Sequence, residues 1–196
     1  MKTLVIHPED ETTDFLEAVY KDTDWSIDRG LYDKKELVQK IEDSDRIVML
    51  GHGAPKGLFG YQSTVPARKA GVDDYEHYLR KMESMNYVIN EFCADFLRWK
   101  ETVFVWCYAD EFVENNYLSG FYTGMIISEE CEASIMHVKC TKEQVEISNT
   151  MFAHAVGKAI FRKDPLKIIR KYYDSENNPV IKFNKERIYY NKMITI

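Results

Sequence analysis

The chain has 196 residues, is 45% hydrophobic and 13% aromatic, and carries a net charge of −6 with a pI near 5.5. That length buries a core without a metal or disulfide, and that composition argues against disorder. An acidic chain with scattered basic residues offers no electrostatic footprint for nucleic acid.

The four cysteines, at 93, 107, 131 and 140, form no CxxC, and no His/Cys pair has zinc-ligand spacing. No metal site and no cofactor is therefore expected. The apolar run at the N-terminus stops at His7-Pro8, too soon for a signal peptide. No run reaches membrane-spanning length, so no membrane partner is expected either. A cytoplasmic protein with reduced thiols follows as the default.

In chain order, Lys2–Ile6 reads as a buried strand stopped by Pro8. Thr12-Thr13-Asp14 reads as a cap for a short helix over Phe15–Tyr20. Trp25–Arg29 alternates as a strand nearer an edge, and Asp33 caps a helix over Lys34–Glu42 through Leu37, Val38 and Ile41. Asp45–Leu50 is the next strand. Strand alternating with helix predicts an α/β fold around a mainly parallel sheet. Residues 54–60, rich in Gly and Pro, read as a loop or small hairpin. Residues 61–86 are polar, with helical periodicity over Asp73–Met85 that suits an insertion covering a site. Tyr87–Ile89 reads as a brief strand or turn, and Glu91–Trp99 as the crossover helix into a strand over Thr102–Cys107.

Beyond it, a short helix is predicted over Asp110–Tyr117, a strand over Phe121–Ser128 and a short helix over Glu129–His137. The longest helix, Lys142–Phe161, has Thr141 as its cap, and a further helix starts at Pro165. The segment after Asn178-Pro179 is read as helix through Ile188 and Tyr189. The expectation is a single domain over 1–196, with a sheet core over 1–130 and a mainly helical part over 131–196 packed on it.

Chemistry points to two strand ends. His52 stands between Gly51 and Gly53 directly after one buried strand, and Cys107 ends another. In open parallel sheets the working groups sit at the carboxyl ends of strands. A cysteine and a histidine brought together there form a nucleophile and its base. Flanking glycines let a substrate approach, and the Gly53 N–H is placed to donate to an oxyanion. A helix beginning near Asp110 would aim its positive end at the thiol. Asp110 is a candidate for orienting a catalytic group or binding a basic substrate, and equally for a helix cap. Trp106 is a candidate pocket wall beside Cys107 as well as a core residue. Glu129 and Glu132 are further candidates for contacting a basic group. His7, near a strand end, can approach the same edge.

An apolar strand ending in His52-Gly53 and a later one ending in Cys107 resembles the caspase-like clan of cysteine peptidases. That clan includes caspases, metacaspases, gingipains, clostripain, legumain and separase. Cys107 follows His52 by 55 residues (107 minus 52), near the roughly 50 seen in caspases. Cys107-Tyr108-Ala109-Asp110 is similar to the Cys-Arg-Gly-Asp run of caspases. The chain departs from the clan in having Trp106 where Ala or Gly is usual, and it lacks the Gln-Ala-Cys-x-Gly signature. The whole chain also resembles a group of small bacterial proteins that carry Leu-Gly-His-Gly, Trp-Cys-x-Ala-Asp-x-Phe and Leu-Ser-Gly-Phe-Tyr, a likeness that implies no particular activity.

The clan resemblance implies a three-layer α/β sandwich with a helical C-terminal segment. It implies His52 as general base or imidazolium partner and Cys107 as nucleophile, with the Gly53 and Cys107 N–H groups as oxyanion hole. The implied partner is a peptide or protein substrate, and Asp110, Trp106 and Glu132 are the expected substrate contacts. Two other readings stay open: a caspase-like interaction module without activity, and an α/β domain that senses a small ligand or nucleotide. The absence of any Gly-rich phosphate-loop motif weakens the nucleotide version.

Overall fold

The apolar runs in the first half of the chain become the central strands of one sheet. The computed structural model describes residues 1–30, 33–60 and 87–192, so the helix expected over 73–85 lies outside the described residues. Strands β1 (Thr3–Ile6), β2 (Ser26–Asp28) and β3 (Arg46–Leu50) are followed by β7 (Glu101–Val105), β8 (Gly120–Thr123) and β9 (Ile188–Asn191). They pair in the order β2-β1-β3-β7-β8-β9, all parallel except the last pair. Between β3 and β7 lie β4 (Gly53–Ala54), β5 (Gly57–Phe59) and β6 (Tyr87–Ile89), a small antiparallel sheet of their own.

Helices α1 (Lys34–Glu42), α2 (Glu91–Leu97), α3 (Ala109–Asn115), α4 (Glu130–Ile135), α5 (Lys142–Ala159), α6 (Pro165–Tyr172) and α7 (Pro179–Lys185) complete the described chain. Two of the expected caps form. The Asp33 carboxylate accepts from the Lys35 and Glu36 N–H groups at 3.0 Å, and Thr141 closes a capping box with Gln144.

Alternation along each strand feeds two cores. Val5, Val48, Leu50, Val103 and Val105 face Phe152, Val156, Ile169 and Tyr173 of the α5–α6 layer. Leu4, Ile6, Ile47, Met49, Phe104 and Trp106 face Leu37 and Ile41 of α1, Leu97 of α2 and Phe112 of α3. The result is an α/β fold of three layers around a mostly parallel sheet.

Three expectations change. Residues 14–19 form a 3₁₀ helix, and no side chain caps it. The strand predicted to Ser128 stops at Thr123, where the chain leaves the sheet. The final segment is helical only over α7; Ile188–Asn191 is an edge strand antiparallel to β8, with Phe121 opposite Tyr190. The 131–196 part thus returns one strand to the sheet.

Candidate active site

The strand order reverses between β1 and β3, because the chain leaves β1 toward β2 and continues beyond β3 toward β7. At such a reversal the loops from the carboxyl ends diverge and leave a crevice. His52 stands at its rim. Leu50 is paired with Val105, and Gly51 N–H still bonds to the Val105 carbonyl at 3.1 Å. Gly51, at φ +143°, then turns the chain off the sheet, a conformation that favours glycine. His52 and Cys107 therefore each lie two residues past a paired position on neighbouring parallel strands.

The His52 side chain reaches across the crevice. Its Nε2 lies 2.7 Å from the Thr12 hydroxyl in the loop after β1. Thr12 donates that hydroxyl to Asp10 Oδ1 at 2.7 Å, and its N–H reaches the same oxygen at 2.9 Å. The residues between are held from below. His7 is fully buried, with Nδ1 2.9 Å from the Tyr20 hydroxyl and Nε2 3.2 Å from the Thr13 hydroxyl. Burial first, then the Arg29 charge, lowers the His7 pKa to about 4. His7 thus braces the loop beneath the edge and does not enter the crevice.

The Cys107 thiol points elsewhere. The residue is half-buried, and Sγ lies 3.5 Å from the Ile126 carbonyl and 3.9 Å from Glu132 Oε1. No direct hydrogen bond joins it to His52. Burial and the adjacent Glu132 charge push the thiol well above its ordinary range. Burial and Glu132, joined last by Asp110 in the first turn of α3 itself, outweigh the favour that the helix was expected to give a thiolate. Tyr108, left-handed at φ 66°, makes the sharp turn from strand into helix.

Glu132 is not open to a substrate. Its Oε2 accepts from Ser128 N–H (2.7 Å), Ser128 hydroxyl (3.0 Å) and Glu129 N–H (3.0 Å), closing the capping box of α4. Its Oε1 faces the sulfur. Burial raises the Glu132 carboxyl, opposed first by the charge of His52 and then by the bonds from Ser128. Asn184 clamps the neighbouring strand end, accepting from Ile127 N–H at 2.7 Å and donating to its carbonyl at 2.9 Å.

Trp106 is also corrected. It is 0% exposed and lies on the opposite face of the sheet from Cys107, against Phe104 and Phe112. Its Nε1–H donates to the Ala54 carbonyl at 3.2 Å. It is a core residue and lines no pocket beside the sulfur. Its packing explains Gly53, where an added Cβ would stand 2.2 Å from Trp106 Cδ1. The Phe59 N–H bonds to the His52 carbonyl at 2.9 Å, which makes Gly53 and Leu58 a pair without mutual hydrogen bonds. The Gly53 N–H consequently points out of the hairpin ladder.

Asp110 lies in the first turn of α3 and not at its cap, which is Tyr108. Its Oδ1 is buried without a hydrogen-bond partner among the described residues, while Oδ2 packs against Gly124. Among the acids expected to meet a substrate, it is the one with bonding capacity left over. Among the described residues, no three His, Cys, Asp or Glu side chains cluster as metal ligands, and no helix is long and apolar enough to cross a membrane.

Sequence reasoning missed Asp10 and Thr12. The Asp-x-Thr spacing is a local turn signature, but its link to a histidine 40 residues away is a product of the sheet. Set against known proteins, the chain matches no family model, no curated protein and no solved structure.

Proposed function

We propose that the chain is a cysteine-dependent acyl hydrolase acting on peptide bonds, with Cys107 as nucleophile and His52 as general base. What carries the reading is the register: Leu50 and Val105 pair, so His52 and Cys107 emerge together at the carboxyl edge of adjacent strands. Because the resting thiol holds its proton, His52 must remove it during attack; a standing ion pair is not the starting state.

Rotation about the single Cys107 χ1 bond frees the thiol from the Ile126 carbonyl. His52 takes the S–H proton as Sγ bonds to the carbonyl carbon, and the C=O electron pair moves onto oxygen. The N–H groups of Gly53 and Cys107 receive that oxyanion. Return of the proton to the amide nitrogen breaks the C–N bond and leaves a thioester. Water, deprotonated by His52, then releases the acid and restores the thiol. The Asp110 carboxylate would suit a basic substrate side chain once its buried Oδ1 is uncovered.

A second reading is favoured by one observation, the raised and hydrogen-bonded thiol: the fold serves as a docking module and Cys107 is silent. Cleavage of a fluorogenic peptide library decides between them. The hydrolase reading requires Cys107→Ala and His52→Ala to abolish cleavage. Turnover that is unchanged in Cys107→Ala rules it out, and absence of cleavage together with no alkylation of folded Cys107 by iodoacetamide favours the docking module.

A further inference from the structure

We infer that Asp10 and Thr12 are positioning residues that lock His52 in one tautomer, with the proton on Nε2 and the lone pair on Nδ1. The inference rests on the reading of His52 as the base, and it names the atom that does the work.

A threonine hydroxyl has one hydrogen. Thr12 gives it to Asp10 Oδ1 at 2.7 Å. Toward His52 Nε2, also 2.7 Å away, the same oxygen can only accept. The reverse assignment would turn a Thr12 lone pair on the Asp10 carboxylate at hydrogen-bond distance, two acceptors face to face. Nε2 therefore carries the hydrogen, and in the neutral ring Nδ1 is left as the proton acceptor. When Nδ1 takes a proton, the new positive charge sits on a ring whose far N–H already points through Thr12 to a carboxylate. This is the base-and-orienter arrangement of a triad, built here with a hydroxyl as intermediary.

The loop is rigid enough to hold the lock. Thr13 N–H and hydroxyl both reach the Asp10 carbonyl, at 3.0 and 3.1 Å. Since Thr13 also spends its hydrogen there, His7 Nε2 donates to Thr13, and His7 Nδ1 accepts from Tyr20. Each donor in the chain is assigned, and the loop is tied to both β1 and the 3₁₀ helix.

The test is long-range proton–nitrogen NMR of ¹⁵N-histidine-labelled protein at pH 8, with Thr12→Val and Thr12→Ser. The wild type and Thr12→Ser should show a protonated Nε2 and a bare Nδ1 on His52. Thr12→Val should show the averaged shifts of two exchanging tautomers. A Thr12→Val spectrum identical to wild type, or a wild-type ring protonated on Nδ1, overturns the lock. Site-resolved alkylation of Cys107 is the second readout. Thr12→Val should slow it about tenfold, with Thr12→Ser restoring it, the scale expected for a lost orienting contact. A rate indifferent to His52→Ala, with the spectra as expected, overturns the dyad and leaves the tautomer lock standing.

Discussion

Acid should strip this protein of stability through His7, in a window set by its burial. The imidazole is fully enclosed and its pKa falls from 6.5 to about 4. The unfolded chain binds a proton near 6.5 while the native state refuses it until about 4. Between these values the unfolded state holds more protons, so stability falls as the pH falls. It is undiminished above 6.5, and the loss is complete below 4. At about 1.4 kcal/mol per pH unit, the full window is worth about 3 kcal/mol. The assay is urea unfolding from pH 7.5 to 4 in the wild type and in His7→Gln, which keeps a donor and an acceptor but cannot titrate. Carboxylate effects are common to both and cancel in the difference. The wild type should lose about 3 kcal/mol more than the variant across the window. Parallel curves would refute the reasoning, and so would a divergence confined to pH above 6.5.

The remaining predictions concern the crevice itself. Glu132→Gln keeps an oxygen for the Ser128 and Glu129 donors but removes the charge beside Cys107. The midpoint of the Cys107 alkylation profile should move to lower pH and the rate at pH 7.5 should rise; an unchanged profile means Glu132 does not govern the thiol. Gly53→Ala drives a methyl into the buried Trp106 ring and should cost about 1–3 kcal/mol in urea unfolding. If stability is unaltered, the close approach of hairpin and indole is wrong.

The sheet was legible because its strands are short, apolar and separated by turn chemistry. Ile47–Leu50 and Val103–Val105 have no polar residue to bury, so they fit a strand covered on both faces. Asp33 and Thr141 were legible as caps because a cap is a local event. The last strand was not. Ile188-Tyr-Tyr-Asn is four residues after a charged Lys-Glu-Arg run, too short to display a period, and its pairing with β8 is a contact across 70 residues. The small sheet was half legible: Pro55, Gly57 and Gly60 suggested a loop or hairpin, but the third strand comes from Tyr87–Ile89, far along the chain.

The site divides along the same line, and the division bears on its chemistry. His52 and Cys107 could be placed at strand ends because strand ends are visible in sequence. Their surroundings were misjudged because surroundings come from loops that only the fold gathers. Trp106 is a candidate wall beside Cys107 by sequence, yet strict alternation sends it to the other core, where it neither lines nor blocks the approach to the sulfur. A different obstacle replaces it. Glu132, brought in by a helix 25 residues later, sits against the sulfur and holds its proton in place. Meanwhile Thr12, read only as part of a helix cap, and Asp10, given no role by sequence, meet the histidine through a chain of hydrogen bonds. One carboxylate thus reaches the histidine through Thr12, and another lies against the sulfur. Glu132 disfavours a thiolate. Under the proposed dyad, a thiol that keeps its proton at rest gives it up during attack and not before it. Such a thiol would react slowly with stray electrophiles at neutral pH.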